Sequence, residues 1–240
     1  MPHFPTLGKQ KEIRMGTKHR RRRKTRFLRR VKIYLRLGLF SLVVLLIVLI
    51  GMKLLKKGPF SNQYVEIDNE EMQIEMPEID VQLLTVNPYS RPGFRSEKIR
   101  NIVIHYTANP GTSAAQNRSY FESLKDTKNT KASSHFIVGI QGEIIQCVPT
   151  WEYAYASNDR NSDTVSIETC HVSKDGKYTE ETYGSLVHLT AWLCEKFGLT
   201  EEDVIRHYDV TGKICPKYFV DDEDAWITFK QDVKKRLEET

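Results

Sequence analysis

The amino-acid sequence predicts an α/β fold in which helices flank a mixed central β-sheet, with one transmembrane helix preceding this domain. Three observations support the prediction. Short β-branched apolar runs alternate with amphipathic helical patterns after residue 98, two of these runs are separated only by a tight turn, and an uncharged stretch lies near the N-terminus. Because a tight turn joins antiparallel strands and an intervening helix joins parallel ones, the sheet is predicted to be mixed.

The uncharged stretch is LGLFSLVVLLIVLIGM, residues 37–52, which lies between Arg36 and Lys53. With the leucines that flank it, the segment is long enough to cross the ~30 Å of bilayer hydrocarbon, since Arg and Lys side chains can extend to the interface. A cleaved signal peptide would end in a small-x-small site, and a buried core helix would have a polar face; this segment has neither. Residues 37–55 are therefore predicted to be a transmembrane signal anchor.

Charge is distributed unevenly around this segment. Residues 1–36 contain 14 Lys and Arg and one acidic residue, a net charge of +13, whereas the chain from Gly58 onward has a net charge of −11. By the positive-inside rule, residues 1–36 are predicted to be a basic cytoplasmic tail and the later part of the chain to be extracytoplasmic. Control of topology accounts for the basic tail, so no nucleic-acid function is predicted, although such tails also bind nucleic acid or anionic lipid.

An acidic extracytoplasmic linker is predicted over residues 56–86. Acidic residues and prolines are frequent there, and the segment VEIDNEEMQIEMPEID shows little sustained periodicity. Such a composition is typical of a stalk that raises a domain above the membrane, or of a simple solvated linker. The domain itself is predicted over residues 87–240, with its first regular element near Lys98.

The strands of this domain are predicted from local patterns. IRNIVIHY (residues 99–106) and DTVSIETC (residues 163–170) are β-branched apolar runs typical of buried strands. SHFIVGI and EIIQCV lie on either side of Gln141-Gly142, as the two strands of a hairpin do. Residues 203–206 are predicted to form a last short strand.

Three helices are predicted from the spacing of apolar residues. Residues 113–126, 181–198 and 223–239 place these residues three and four positions apart, so that they share one face of a helix. Gly198 provides the C-terminal stop of the second helix. Alternation of these helices with the strands predicts that they pack on the sheet.

The four cysteines are Cys147, Cys170, Cys194 and Cys215. An even number permits three pairings, but their wide spacing and a domain large enough to be stabilised by burial argue against a disulfide scaffold. The first three lie in apolar runs and are predicted to be small core residues. Cys215 differs because it lies in a polar loop, within the stretch VIRHYDVTGKICPKYF.

Two histidines can complete a metal-binding set with Cys215. His105 ends the first strand and His207 ends the last, so both can meet at one edge of the sheet, and a turn at Gly212 can return Cys215 to that edge. Two imidazoles and one thiolate form a three-ligand set for Zn²⁺, whose open fourth position holds a water of lowered pKa. The same residues also permit a nucleophilic Cys215 with His207 as its base, although no helix N-terminus lowers the pKa of that thiol.

Four segments occur in the order VIHYTANPGTSA, SSHFIVGIQGEIIQCVP, VSIETCH and IRHYDVTGKICPKYF. Together they resemble the zinc-dependent N-acetylmuramoyl-L-alanine amidases of the type 2 family, which includes phage lysozyme-amidases and peptidoglycan recognition proteins. The resemblance extends from about Asn87 to Leu237. It implies a mixed sheet flanked by helices, and hydrolysis of the amide bond between N-acetylmuramic acid and the L-Ala of the stem peptide.

The resemblance also implies a role for each candidate residue. The metal ligands of the family correspond to His105, His207 and Cys215, and its acidic residue in the pattern I-G-I-E corresponds to Glu168 in SIET. The lysine that the family has two residues before its last ligand corresponds to Lys213. Glu168 would act first as a general base and then as a general acid, and Lys213 would stabilise the oxyanion together with Zn²⁺. Without the resemblance, both would be interpreted as solvated surface charges.

The chain departs from the family pattern in two segments. Some relatives have a Tyr just before the His-Phe pair of the second segment, where this chain has Ser134. Several relatives have a further His in the loop that corresponds to YAYASND, where this chain offers Tyr153, Tyr155 and Asn158 as candidate substrate contacts. His135 is predicted to be packed or hydrogen-bonded rather than a metal ligand.

The sequence therefore predicts a single-pass, membrane-anchored peptidoglycan hydrolase with a cytoplasmic N-terminus and a catalytic domain that faces the cell wall. Its predicted cofactor is Zn²⁺ and its predicted substrate is peptidoglycan or a muropeptide. The alternative is a non-catalytic sensor, since recognition proteins on this fold bind muropeptides without cleaving them. Glu168, Lys213 and Cys215 favour the enzyme, because a binding protein needs none of the three.

Overall fold

Within residues 34–35, 38–39, 41–44, 47 and 72–239, which the computed structural model describes, six strands form one mixed sheet. Their order across the sheet is β1-β4-β3-β5-β2-β6. The hairpin of β3 and β4 is antiparallel, and the other pairings are parallel. This arrangement confirms the predicted mixed sheet and hairpin. The strands are β1 (Asp80–Val81), β2 (Asn101–Tyr106), β3 (Phe136–Val138), β4 (Ile144–Gln146), β5 (Thr164–Thr169) and β6 (Val204–Arg206).

Helices connect the strands as the sequence predicts, and two further short helices follow β6. The N-terminus of the first helix is capped by Ser113, which exchanges hydrogen bonds with Gln116 in a capping box. The second helix ends at Gly198, whose φ of +63° is the left-handed conformation that glycine adopts without strain. The helices are α1 (Ala114–Thr127), α2 (Glu180–Phe197), α3 (His207–Thr211), α4 (Lys217–Asp221) and α5 (Glu223–Glu238).

The two faces of the sheet are covered by different elements. Ile104 of β2 and Ile167 of β5 belong to a buried cluster that includes residues of α2 and α5. Residues of α1 cover the opposite face over β3 and β4. Because successive strand residues point to opposite faces, His105 and Glu168 point away from α2 and α5, beside the part of the sheet that α1 covers.

Residues 72–86 belong to the folded domain, so the predicted linker over residues 56–86 is wrong for this part. β1 pairs with β4 as a parallel edge strand. The carboxylate of Glu195 on α2 accepts hydrogen bonds from the backbone N–H groups of Gln73 and Ile74, at 2.6 and 2.8 Å. Leu84 is buried in the cluster that includes residues of α1. Hydrophobic periodicity does not reveal this segment, because it is attached to the domain by isolated apolar residues and by backbone hydrogen bonds. Neither of these produces a periodic sequence pattern.

The predicted basic tail and transmembrane anchor lie largely outside the described residues. Residues 34–35, 38–39, 41–44 and 47 are helical, with exposed side chains. Within the described part of the chain, no helix combines the length and the apolar character needed to cross a bilayer. The membrane anchor over residues 37–55 therefore stays a prediction.

Replacing Leu84 by Ala is expected to lower the free energy of unfolding by about 2–5 kcal/mol, because the shorter side chain leaves a cavity in the buried cluster. The matched control is Val86→Ala on the same segment, since Val86 is 60% exposed. That control is expected to change the free energy by less than about 0.5 kcal/mol. Denaturant unfolding followed by circular dichroism measures both. Equal stability of the Leu84 variant and the unaltered chain would show that residues 72–86 do not unfold with the domain.

Candidate functional site

Three of the sequence-predicted residues converge at the carboxyl edge of the sheet. One ring nitrogen from each of His105 and His207 and the Sγ atom of Cys215 lie within 4.8 Å of one another. All three side chains are buried. His105 Nδ1 lies 3.8 Å from Cys215 Sγ, and the centroids of the two imidazole rings are 4.6 Å apart.

Strand pairing and a tight turn bring these residues together. β2 lies between β5 and β6, and Ile104 is level with Arg206, so the next residues, His105 and His207, emerge side by side. The sequence predicted a loop after His207, whereas His207 begins the short helix α3. Gly212, at a φ of +76°, ends that helix and turns the chain back, as predicted. The backbone N–H of Tyr208 then donates to the carbonyl of Cys215 at 2.8 Å, which closes the turn.

The chemistry of these donors fits Zn²⁺. A separation of 3.8 Å between His105 Nδ1 and Cys215 Sγ is close to that of two ligands about 2.0–2.3 Å from a tetrahedral ion. Burial lowers the pKa of His105 and of His207, and the nearby charges, including that of Lys213, lower them further. Both imidazoles are thereby kept neutral, which is the form that binds metal.

The alternative of a nucleophilic Cys215 is disfavoured by the surroundings of its thiol. Burial and the charge of Glu168 raise the pKa of Cys215 to about 12, against weaker opposing effects of the Tyr106 backbone and Lys213. A reactive cysteine requires the opposite shift. A thiol that faces two neutral imidazoles can still bind a metal ion, because the positive charge of the ion lowers the pKa of a coordinating thiol and displaces its proton.

Glu168 lies next to the three candidate ligands. Parallel pairing of β2 with β5 places Glu168 level with His105, on the same face of the sheet. Burial raises the pKa of Glu168 to about 8, although the positive charge of Lys213 opposes the shift. Its Oε2 atom is buried and has no hydrogen-bond partner among the described residues. Glu168 is thus a carboxyl group that can gain or lose a proton near neutral pH.

Lys213 lies between Gly212 and Cys215 in sequence, with an exposed side chain. Its charge lowers the pKa of His105, His207 and Glu168, so its ammonium group acts on the whole site. The backbone N–H of Lys213 donates to the hydroxyl of Thr211, which holds the base of the side chain in the turn. Lys213 is therefore an exposed cation at the rim of the site, carried by a backbone that the turn holds in place.

Ser157 and Asn158 contact the outer sides of the two candidate histidine ligands. Ser157 Oγ lies 3.5 Å from His105 Nε2, and Asn158 Oδ1 lies 3.3 Å from His207 Nε2. Asn158 Oδ1 can only accept, so it favours a proton on Nε2 of His207 and leaves Nδ1 free; the Ser157 hydroxyl can accept from Nε2 of His105 in the same way. The sequence predicts Asn158 only as a substrate contact and does not point to a role for Ser157. No local pattern marks either residue, because their partners lie about 50 positions away in the chain.

Arg206 holds the helix that begins with His207. Its buried guanidinium donates to the carboxylates of Asp209, at 3.0 Å, and Glu223, at 2.6 Å, and to the carbonyl of Phe219 at 2.9 Å. These bonds connect the start of α3 with α4 and α5. This role is not visible in the sequence, since a single Arg at the end of a strand resembles a surface charge.

The structure also shows the positions of Ser134, where the chain departs from the family pattern, and of the neighbouring His135. The hydroxyl of Ser134 is buried and donates to the carbonyl of Phe136 at 2.9 Å, so it does not take the place of a tyrosine in the site. His135 is packed and hydrogen-bonded, as predicted: its ring nitrogens contact Ser166 Oγ at 3.0 Å and the carbonyl of Glu152 at 2.8 Å.

A family model described as N-acetylmuramoyl-L-alanine amidase matches residues 95–218. Among curated proteins, the N-acetylmuramoyl-L-alanine amidase CwlL of Bacillus licheniformis is 37% identical over 175 residues, which cover 68% of this chain and 48% of the relative. The N-acetylmuramoyl-L-alanine amidase BlyA of Bacillus subtilis is 33% identical over 175 residues, which cover 64% of this chain and 46% of the relative. The chain thus spans about half the length of the curated relatives it matches.

A solved structure of similar fold is a mutant endolysin from Bacillus subtilis. It superposes with a TM-score of 0.56 at 27% sequence identity, and the match covers 66% of this chain and 99% of the endolysin. The likeness therefore concerns the folded domain, which contains the candidate site.

Replacing Ser157 by Ala is expected to weaken Zn²⁺ binding by about tenfold or more, because His105 loses the acceptor that orients its ring. Competition with a chromogenic chelator, on the metal-free full chain, measures the affinity. The matched control is Ser123→Ala, because Ser123 is a half-buried serine of α1, away from the site, whose hydroxyl donates to the carbonyl of Tyr120. Equal affinity of the two variants for Zn²⁺ would show that Ser157 does not position His105.

Proposed function

Because the chain belongs to the N-acetylmuramoyl-L-alanine amidase family, we propose that its folded domain hydrolyses peptidoglycan at the amide between N-acetylmuramic acid and the L-Ala of the stem peptide. One observation carries this proposal. His105, His207 and Cys215 converge within 4.8 Å, and Glu168, whose Oε2 has no hydrogen-bond partner in the described part of the chain, lies beside them on the neighbouring strand. This arrangement combines a metal-binding set with a proton carrier, which is what hydrolysis of an unactivated amide requires.

His105, His207 and Cys215 would hold Zn²⁺, which when bound supplies an activated water and a Lewis acid for the amide carbonyl. Glu168 accepts a proton from the attacking water and then delivers it to the amide nitrogen as the C–N bond breaks. A pKa raised by burial to about 8 suits both steps, because the carboxylate is basic enough to take the proton and still gives it up near neutral pH.

Lys213 would stabilise the negative charge that develops on the carbonyl oxygen of the substrate. Its charge already acts on Glu168 and on both histidines, and its backbone position is held by the turn that carries Cys215.

Replacing Glu168 by Gln is expected to leave Zn²⁺ binding within about threefold and to lower turnover by at least about 100-fold, because Gln cannot carry the proton. The measurement is digestion of purified cell wall by the full chain, with release of new L-Ala amino termini scored. Glu202→Gln is the matched control, since Glu202 is an exposed glutamate that pairs with Lys230 away from the site.

Three outcomes of that digestion separate the hypotheses. Loss of release in the presence of a chelator, with recovery on addition of Zn²⁺, supports the metal centre. Activity that survives complete removal of the metal contradicts it. If the Zn²⁺-loaded chain binds the wall but releases no amine, the result favours the non-catalytic sensor over the enzyme.

We further propose that residues 37–55 anchor the chain in the cell membrane, with residues 1–36 in the cytoplasm and the catalytic domain facing the cell wall. The support lies in the sequence: sixteen uncharged residues follow a segment with a net charge of +13. An enzyme held in this way acts on peptidoglycan near the membrane.

Deletion of residues 37–55 is expected to release the chain from membranes, whereas the intact chain should need detergent. Extraction at about 1 M salt, where the Debye length is ~3 Å, separates this anchor from binding of the basic tail to anionic lipid. Release of the intact chain by salt alone would contradict the spanning helix. Protease added outside intact cells tests the orientation, because it is expected to cleave the catalytic domain. Protection of the domain from the protease would contradict the proposed topology.

A further inference from the structure

Four aromatic side chains, two exposed and two half-buried, lie on segments that precede the candidate site, and we name Phe94, Trp151, Tyr153 and Tyr155 the aromatic strip. The ring centroids of Phe94 and Tyr153 are 5.5 Å apart, and those of Tyr153 and Tyr155 are 5.9 Å apart. Phe94 is 55% exposed and Trp151 is 56% exposed. Large exposed aromatic groups of this kind are typical of binding surfaces, because their apolar area is costly to leave in water.

The strip occupies one face of a pair of extended segments. The N–H of Ser96 donates to the carbonyl of Trp151, and the N–H of Tyr153 donates to the carbonyl of Phe94, so the two segments run antiparallel. Phe94 lies directly opposite Tyr153, which brings their rings together. Glu152 and Ala154 point inward, and the rings of Tyr153 and Tyr155 lie together on the outer side, while Trp151 is exposed in the turn just before them.

The inward residues fix the strip in place. Glu152 accepts two hydrogen bonds from Arg91, at 2.7 and 2.8 Å, in a largely buried bidentate pair. The carbonyl of Glu152 contacts His135 Nε2 at 2.8 Å, and Ala154 is buried in the cluster that includes residues of α1. The backbone N–H of Tyr155 donates to the hydroxyl of Ser133. A surface held in this way loses little conformational freedom when a ligand binds.

The strip continues directly into the candidate active site. Two residues after Tyr155, Ser157 lies 3.5 Å from His105 Nε2, and the next residue, Asn158, lies 3.3 Å from His207 Nε2. The ammonium group of Lys131 lies 5.2 Å from the ring centroid of Tyr155 and adds a hydrogen-bond donor at this end. A polymer that lies along the strip would therefore present its end or its branch point to the metal centre.

We propose that the aromatic strip binds the glycan strand of peptidoglycan, next to the N-acetylmuramic acid whose amide is cleaved; this inference rests on the proposed function. Each sugar ring has an apolar face of C–H groups that packs on an aromatic ring, whose face is electron-rich. The hydroxyls of Tyr153 and Tyr155 and the ammonium of Lys131 can bond the hydroxyl and N-acetyl groups at the sugar edge.

Charge favours the glycan over the stem peptide as the occupant of the strip. Stem peptides carry carboxylates, which are bound by cationic side chains. Several lysines lie on other segments, after β5 and around the turn that carries Cys215: Lys174, Lys177, Lys213 and Lys217. The rings of the strip are uncharged, and the ammonium of Lys131 lies beside Tyr155 at one end. A mainly uncharged surface of this kind matches a neutral chain of N-acetylated sugars.

Replacing Tyr153 or Phe94 by Ala is expected to weaken binding of a soluble N-acetylglucosamine oligosaccharide by about 3- to 10-fold each, because each change removes one stacking face. Fluorescence titration of the full chain measures this binding. Trp151 is the reporter, since it is exposed and the other two tryptophans, Trp192 and Trp226, are buried. Tyr120→Ala is the matched control, because Tyr120 is an exposed tyrosine of α1 outside the strip. Failure of the unaltered chain to bind the oligosaccharide, or equal binding by all variants, would overturn the proposal.

Hydrolysis separates this inference from the proposed function. With polymeric wall as substrate, KM is expected to rise by about 3- to 10-fold in the strip variants while kcat is retained; with a muramoyl-peptide that carries a single sugar, KM should stay constant. Equal effects on the two substrates would contradict a glycan subsite. If the chain binds the oligosaccharide through the strip but hydrolyses neither substrate, the glycan subsite is supported and the proposed amidase activity is contradicted.

Discussion

The parallel pairing of β2 with both of its neighbours is the constraint on which the site depends. Pairing with β5 sets Glu168 level with His105, and pairing with β6 makes His207 emerge beside His105. A shift of one residue in either register would turn one of these side chains to the opposite face, where α2 and α5 pack. Correct register is in turn enforced by the apolar residues that alternate with the site residues, because they must point into the core.

Around this edge of the sheet, the backbone and buried charged side chains fix the positions of the candidate metal ligands. Gly212 permits the turn that returns Cys215, and Arg206 ties the start of α3 to the helices that follow. Ser157 and Asn158 approach the rings of the two histidines from the outer side. Burial keeps the imidazoles neutral and raises the pKa of Glu168 at the same time. The same low-dielectric environment thus prepares both the metal ligands and the proton carrier.

The segment between β4 and β5 links the site to the surface outside it. Its inner side is fixed by the Arg91–Glu152 pair and by His135, its outer side carries Tyr153 and Tyr155 of the aromatic strip, and its end supplies the contacts to the two candidate histidine ligands. The proposed substrate surface and the residues proposed to orient the metal ligands are consequently built on one stretch of chain. A rigid inner side allows this stretch to present rings at fixed positions, which a flexible loop would not do.

The sequence by itself determined the fold class, the hairpin, the three long helices and the candidate ligands, because periodicity, turn residues and metal-binding residue types are local signals. Tertiary structure decided what depends on distant partners. Residues 72–86 joined the domain through backbone hydrogen bonds and the buried Leu84, and Ser157 became a neighbour of His105 across 52 positions of chain. The raised pKa of Glu168 likewise arises from burial by the folded chain. Contacts between distant segments leave no periodic trace in the sequence, and therefore only the folded structure reveals them.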